Sequence, residues 1–426
     1  MKKRKDPVKA YILRKKIFAV IFLIALFGYS GVNAWHGLNT WVWEWNEEVD
    51  AFLAQEIVLE EIPDRLSYFV SEMDDILVAS MYGKMEFIEG YSYIQVLMNK
   101  REIDNFTYIK DEDGYLHLAS FFREDGNDME RYAKRMKRLK EYAEPKGTKV
   151  LFFVTPGKYV RGETNFRTGM PVDDPNNLVD ELLFFLNRYG VETVDGRKLI
   201  PNENMTVQEA FFKTDHHWTV PAAFEATQML VEQMNEKFDA GLDPEGFYLD
   251  PAQYESVIYR QGMLGSMGRK TGANFSGMED FEALWPKFEC HYDRYYLNTQ
   301  EEMEHLRGTT MEDLMDTDVL LVNEDIYEES QYSLYLDGLR PYEKIINRDN
   351  PDGCKILAIR DSYFSPMMVF MAPMCGQIDA IWALEEVEDL DIERYVKNNE
   401  FDYIIVEIYP YNIVNEGAFN FFRRDY

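Results

Sequence analysis

Two stretches of this 426-residue chain hold side chains whose types and spacing suit covalent chemistry. The first is Phe211-Phe212-Lys213-Thr214-Asp215-His216-His217-Trp218-Thr219, which gathers two of the six histidines directly after an aspartate. The second is Asp361-Ser362-Tyr363, which follows the run Lys355–Arg360 and places a serine at the end of a predicted buried strand. A serine hydroxyl is a poor nucleophile near neutral pH unless an imidazole takes its proton, and a carboxylate can hold that imidazole in the right tautomer. In an extended segment, residues two apart project to the same side. Asp215 is therefore expected to face His217, with His216 turned the other way. The set is Asp215, His217 and Ser362, in that chain order.

Each motif also has an ordinary structural reading, because a single histidine is commonly a hydrogen-bonded structural residue and an Asp-Ser pair after a strand often starts a helix. Their joint presence favours the triad. Asp-His-His also occurs in metal-dependent phosphoesterases of the DHH type, but those need further aspartate motifs at upstream strand ends, which this chain lacks; neither a metal nor a cofactor is expected. The backbone N–H groups of Ser362 and Tyr363 are the main candidates for an oxyanion hole. Lys158 and Asn323 fall just past predicted strands and are candidates to reach the site, Asn323 as a further oxyanion donor. Arg269 and Lys270, in the stretch Gly262–Gly272, are candidates to contact a sugar or an acyl donor; the stretch lacks the spacing of a phosphate-binding P-loop.

The elements that must position these residues can be read from periodicity. From about residue 126 helical and strand patterns alternate, which predicts a parallel sheet covered by helices. Helices are expected over Met129–Tyr142, Leu178–Tyr189 and Ser365–Met371. Another follows the histidine motif, with Pro221 at its start and Phe224, Val231, Met234 and Phe238 on one face. Strands are expected over Lys149–Val154, Val191–Val194, Asp318–Val322, Lys355–Ile359 and Tyr403–Ile408. Open α/β sheets bind ligands at the carboxyl ends of their strands, where Ser362 falls.

The run Thr214-Asp215-His216-His217-Trp218-Thr219 is similar to the signature of the DHHW protein family, which is grouped with the AlgX/AlgJ-type polysaccharide O-acetyltransferases among SGNH hydrolase-like proteins. The Gly-rich basic stretch Gly262–Gly272 also resembles a loop found between the two motifs of such proteins. The resemblance implies an SGNH-like three-layer α/β/α sandwich with a central mostly parallel sheet, with Asp215 as orienting carboxylate, His217 as base and Ser362 as nucleophile. It further implies O-acetylation of an exported or cell-surface polysaccharide through an acyl-serine, the acetyl donor being relayed by a membrane-bound O-acyltransferase. One departure is plain: where many SGNH enzymes carry Gly-Asp-Ser, this chain has Arg360-Asp361-Ser362. With water as acceptor the same site is a carbohydrate esterase, and with an inactive triad it is a polysaccharide-binding scaffold.

The N-terminus sets the location. Lys2, Lys3, Arg4, Lys5, Lys9, Arg14, Lys15 and Lys16 against Asp6 give residues 1–16 a charge of +7. The apolar run over residues 17–35 would span ~29 Å as a helix, about one hydrocarbon core. The basic flank predicts a cytoplasmic side, and Trp35, Trp41, Trp43 and Trp45 suit an outer interfacial belt. An uncleaved signal-anchor is expected, although Val32-Asn33-Ala34 has the small residues of a cleavage site. The expected division is 1–16 cytoplasmic segment, 17–35 transmembrane signal-anchor, 36–125 juxtamembrane accessory region including a helix over Asp64–Val78, and 126–426 catalytic domain. Setting the +7 aside from the whole-chain charge of −31 leaves −38 on residues 17–426, which argues against nucleic acid and other polyanions as partners. Cys290, Cys354 and Cys375 show no Cys-x-x-Cys spacing and allow one disulfide at most.

Overall fold

In the computed structural model, residues 7–54, 70, 81–118, 128–298, 302–320, 327, 330–384, 390–414 and 416–423 are described. The chain divides into two compact units, Met1–Tyr91 and Ser92–Tyr426. In the first, Pro7–Ala54 forms one continuous helix (α1) that runs well past the apolar stretch read from sequence. Its segment Tyr11–Trp35 is long and apolar enough to cross a bilayer, as a membrane anchor or a signal sequence would be. Asn33 and Tyr29 on this helix bond the backbone of Tyr82, with the Tyr82 N–H donating to Asn33 Oδ1 at 2.8 Å. The expected helix over 64–78 lies outside the described residues except at residue 70.

The second unit is built on an eight-stranded mixed sheet. Helix Lys84–Leu97 (α2) runs across the division between the units, and the longer helices of the second unit are, in chain order, Met129–Ala143 (α3), Asn176–Arg188 (α4), Val220–Phe238 (α5), Ser266–Thr271 (α6), Phe364–Met371 (α7) and Ile392–Asn398 (α8). Glu102–Ile103 (β1), Tyr108–Lys110 (β2) and Leu116–Leu118 (β3) make a small antiparallel sheet. The main sheet takes Lys149–Val154 (β4) and Glu192–Asp195 (β5). Tyr254–Met263 (β6) and Glu279–Pro286 (β7) pair as a separate hairpin. Glu289–Leu297 (β8), Met303–Thr310 (β9), Tyr342–Asn347 (β10), Lys355–Arg360 (β11), Gln377–Trp382 (β12) and Tyr403–Ile408 (β13) complete the main sheet, in the order β5-β4-β13-β11-β12-β10-β8-β9. The five strands from β5 to β12 are parallel, and β10, β8 and β9 extend the sheet antiparallel.

The central strands are buried on both faces, and their side chains alternate between two cores. Leu151 and Phe153 of β4, Ile356 and Ala358 of β11 and Ile405 of β13 join the core under α5 and α7. Val150, Phe152 and Val154, Leu357 and Ile359, and Ile404, Val406 and Ile408 join the opposite core under α3, α4 and α8. The period of two in strands between helical layers is the sandwich expected from sequence. Helix α3 shows how locally this is written: Asp128 caps it by accepting from the Arg131 N–H at 3.0 Å, and Tyr132, Met136, Leu139 and Ala143 form its buried stripe.

One strand assignment fails. Thr317–Leu320 is a 3₁₀ turn rather than the start of a strand over 318–322. Val319 is buried and Leu320 packs against the core, so these two satisfy burial without joining the sheet. Residues 321–323, with the oxyanion candidate Asn323, lie outside the described residues.

Candidate active site

Strand β11 ends at Arg360, and the next three residues turn the chain into α7. Asp361 fixes that turn. Its carboxylate is fully enclosed and accepts from the Tyr363 N–H at 3.0 Å, the Tyr409 N–H at 2.8 Å and Asn412 Nδ2 at 2.8 Å, while its own N–H donates to Glu407 Oε2 at 3.0 Å. These bonds tie the turn to the end of β13. Between them stands Ser362, half-buried and at the mouth of α7. The Tyr363 N–H is spent on Asp361, because a buried carboxylate must be satisfied. It is thus not available as the second oxyanion donor expected from sequence, whereas the Ser362 N–H has no acceptor among the described residues.

The histidine motif is a closed loop. Phe211 and Trp218 pair across its mouth, the Phe212 N–H donates to the His217 carbonyl at 3.2 Å, and the Thr219 N–H donates to the Ala210 carbonyl at 2.8 Å. Within it Asp215 Oδ1 accepts from the His217 backbone N–H at 3.0 Å and lies 2.7 Å from His217 Nδ1. His217 Nε2 lies 2.6 Å from Ser362 Oγ. Asp215, His217 and Ser362 are thus brought together in one hydrogen-bonded line from two distant parts of the chain. Because the loop bends instead of running extended, His216 does not turn away as expected. Its ring lies 3.8 Å from that of His217, centroid to centroid, and its Nδ1 is 3.2 Å from Asp215 Oδ1 and 3.1 Å from Ser266 Oγ.

Burial and two imidazoles set the charges. Burial disfavours the Asp215 carboxylate, but His217, His216 and the Ser266 N–H outweigh it and hold the group well below the usual carboxylate range. Burial, helped by the His217 and Lys158 charges, pushes His216 down to about 3, so it stays neutral at physiological pH. Tyr332 stacks on His217 at 3.9 Å and 13°, accepts from Trp218 Nε1 at 3.2 Å and donates to the Ser362 carbonyl at 3.2 Å. That ring fixes the plane of the imidazole and walls it from solvent.

The Gly-rich stretch braces the motif chiefly through its backbone. The Ser266 N–H donates to Asp215 Oδ2 at 2.6 Å, and the Gly265 N–H donates to Thr214 Oγ1 at 2.8 Å. A Cβ at Gly265 would sit 2.4 Å from Asp215 Cβ, so only glycine permits the approach. Lys270 is exposed, and Arg269 is half-buried. Lys158 reaches the motif from behind: its Nζ donates to the carbonyls of Lys213 at 3.1 Å and Asp215 at 2.7 Å, and burial lowers it to about 8. Glu279 of β7 accepts from the N–H groups of Lys213 and Thr214 at 2.6 and 2.7 Å. The small sheet, to which sequence reasoning gave no chemistry, also braces the loop, with the Leu116 N–H donating to the Lys213 carbonyl at 2.9 Å. Its alternating Leu116-His117-Leu118 was a legible strand signal; Tyr332, on an irregular 3₁₀ segment, gave none.

Arg360, the departure from Gly-Asp-Ser, is fully buried and pairs with Glu343 Oε2 at 2.7 Å, while Arg294 Nη2 holds Glu343 Oε1 at 2.5 Å. Arg360 Nη1 also donates to Ser365 Oγ at 3.1 Å, which anchors the first turn of α7 behind the serine. Removing the carboxylate would leave two buried guanidiniums without their shared counter-charge. Glu343→Gln is therefore expected to destabilise the fold by about 3–5 kcal/mol. Denaturant unfolding of the two proteins measures this, and a loss below about 1 kcal/mol would mean the network is no stronger than a surface pair.

The donor atoms of Asp215, His216 and His217 lie within 4.8 Å of one another, the clustering a cation would need. Both His217 nitrogens, however, are turned onto Asp215 and Ser362, and His216 Nδ1 is turned onto Ser266 and Asp215. This is an arrangement for moving a proton from a hydroxyl, with one ring nitrogen held by a carboxylate and the other on the serine.

Residues 109–272 match the family described as "SGNH hydrolase-like domain, acetyltransferase AlgX"; the match includes Asp215 and His217 and stops short of Ser362. No curated protein matches the chain. Among solved structures, Bacillus cereus PatB1 with a sulfonyl adduct is similar at 16% identity and a TM-score of 0.58, over 74% of this chain and 97% of that one. A DHHW family protein from Eubacterium siraeum is similar at 18% identity and a TM-score of 0.54, over 73% of this chain and 92% of that one. At these identities the likeness establishes the fold.

Proposed function

We propose that this chain, which carries an SGNH hydrolase-like domain of the AlgX acetyltransferase type, moves acetyl groups onto polysaccharide hydroxyls through Ser362. The observation that carries this reading is the unbroken line from Asp215 through His217 to Ser362 Oγ, with 2.7 and 2.6 Å links. In the first half-reaction Ser362 Oγ attacks the carbonyl carbon of an acetyl donor while its proton passes to His217 Nε2. Negative charge collects on the former carbonyl oxygen, facing the Ser362 N–H at the amino end of α7. Collapse expels the donor's leaving group, which takes the proton from His217 and leaves acetyl-Ser362. In the second half-reaction His217 takes the proton of a sugar hydroxyl, whose oxygen attacks the acetyl carbon; Ser362 leaves and recovers the proton. Asp215 stays ionised throughout and stabilises the transient imidazolium.

In this reading α1 anchors the protein in the membrane, the second unit works outside the cytoplasm, and a membrane-bound O-acyltransferase supplies the acetyl group. The long apolar segment Tyr11–Trp35 behind a basic flank supports the anchor. To separate transferase from esterase, the full chain in detergent is charged with a small activated acetyl ester and the decay of the adduct is followed by intact mass. A transferase is expected to discharge to oligosaccharide about 10-fold or more faster than to water, since a bound acceptor is already positioned for attack. Equal rates with and without carbohydrate would make the protein an esterase.

A further inference from the structure

A cavity opens at the same edge of the sheet as Ser362. It has a volume of about 310 Å³ and is lined by residues that directly follow β4, among them Tyr159 and Arg161, by Asp195 and Arg197 at the end of β5, and by Asn176 and Asp180 of α4. Ser362 follows β11, and the strand order β11-β13-β4-β5 is parallel throughout. Two to three strand spacings set the cavity ~10–14 Å from the nucleophile, a span of two or three linked pyranose rings. The two are joined by a run of stacked phenols. Tyr363, next to the nucleophile, stacks on Tyr409 at 4.4 Å, Tyr409 stacks on Tyr411 at 4.6 Å, and Tyr411 is hydrogen-bonded to the Tyr159 backbone at the cavity wall.

The polar groups of the cavity are held in place by one another. Arg197 grips Asp195 with two bonds of 2.8 and 2.9 Å and reaches Asp180 Oδ1 at 2.8 Å; Arg161 takes Asp180 Oδ2 at 2.6 Å and also pairs with Asp174. The bonds leave Asp180 and Arg161 still exposed, side by side, one accepting and one donating. Arg161, Arg197 and Lys198 stand against Asp174, Asp180 and Asp195, three cations to three carboxylates, so the cavity offers no net positive charge to an anion. Alternating fixed acceptors and donors suit the vicinal hydroxyls of an uncharged sugar. We propose that this cavity is a distal subsite for a neutral glycan acceptor, which holds one part of the chain while another part presents its hydroxyl to acetyl-Ser362. The proposal rests on the transferase reading above.

The test uses the full chain in detergent, as Ser362→Ala for binding and with Ser362 intact for transfer, with maltohexaose, cellohexaose, chitohexaose and an anionic galacturonate hexamer as probes. At least one neutral hexamer is expected to bind Ser362→Ala, and Asp180→Asn and Arg161→Met, both at exposed positions, are each expected to weaken that binding about tenfold. With Ser362 intact, the same two changes should raise the half-saturating hexamer concentration for discharge of acetyl-Ser362 and leave discharge by glucose and by water unchanged. The assignment is overturned if the anionic hexamer alone binds, if no neutral hexamer binds, or if both variants bind as the parent does. An acetyl-Ser362 adduct that forms normally beside any of these results leaves the chemistry standing and removes only the subsite. Absence of the adduct removes the transferase reading and this subsite with it.

Discussion

Ser362→Ala is expected to abolish acetyl-enzyme formation and to lower acetyl transfer by about 10⁴- to 10⁶-fold, the loss found when the nucleophile of a triad is removed. Three features set the size of this effect. Ser362 Oγ is bonded to His217 Nε2 at 2.6 Å, its N–H is uncommitted among the described residues, and α7 begins two residues later. Alanine keeps the N–H and the helix but has no atom to form the ester. The protein itself should fold as before, since the serine hydroxyl bonds only His217 among the described residues and the turn is held by Asp361. His217→Ala should fall into the same range, because without a base the hydroxyl remains protonated. The measurement is intact mass after exposure to a small activated acetyl ester, together with the initial rate of transfer. An adduct of equal yield in Ser362→Ala would place the nucleophile elsewhere and sink the mechanism.

The parts of the fold written in local periodicity were legible from sequence. Lys149–Val154 and Tyr403–Ile408 are strands with the limits read from their apolar runs, and α3, α4, α5 and α7 lie within two residues of the expected helices. These segments are buried on both faces or along one stripe, so their pattern and their environment agree. The antiparallel extension through β8, β9 and β10 was not legible. Tyr-Asp-Arg-Tyr-Tyr in β8 mixes charge and aromatic residues, and its partners are set by the sheet edge rather than by its own sequence. At the site, residue types disclosed Asp215, His217 and Ser362. The supports did not announce themselves, since they act through backbone groups or through long-range packing. Ser266 gives an N–H, Gly265 gives space, and Tyr332 gives a ring from more than a hundred residues away. Arg360 stood out from sequence only as a departure from Gly-Asp-Ser, and its side chain turns out to point to Glu343 behind the nucleophile. His216 was misplaced because the alternation of an extended strand was applied to a bent loop.

Asp215→Asn is expected to lower transfer by about 10⁴-fold while leaving the fold and the acceptor's half-saturating concentration close to those of the parent. The loss arises from the tautomer. As a carboxylate, Asp215 Oδ1 can accept only, so His217 Nδ1 carries the proton and Nε2 is free to receive that of Ser362. An asparagine in the same place can accept from only one of the two backbone donors on the carboxylate, and the shorter bond, from the Ser266 N–H to Oδ2 at 2.6 Å, is kept at the expense of the His217 N–H on Oδ1 at 3.0 Å. Its NH₂ then falls where Oδ1 was, next to His217 Nδ1, and the imidazole turns to its other tautomer with Nε2 protonated against Ser362. The base is lost although every heavy atom is in place. Asp215→Ala removes the tautomer lock as well but frees the ring, so part of its activity should return with added imidazole or formate, which does not hold for Asp215→Asn. The carboxylate is held well below its ordinary range by His217, His216 and the Ser266 N–H against the cost of burial, and its charge is therefore kept across the pH range in which acetyl esters are stable. A transfer rate for Asp215→Asn within about 10-fold of the parent would show that His217 takes the serine proton without a carboxylate to hold its tautomer.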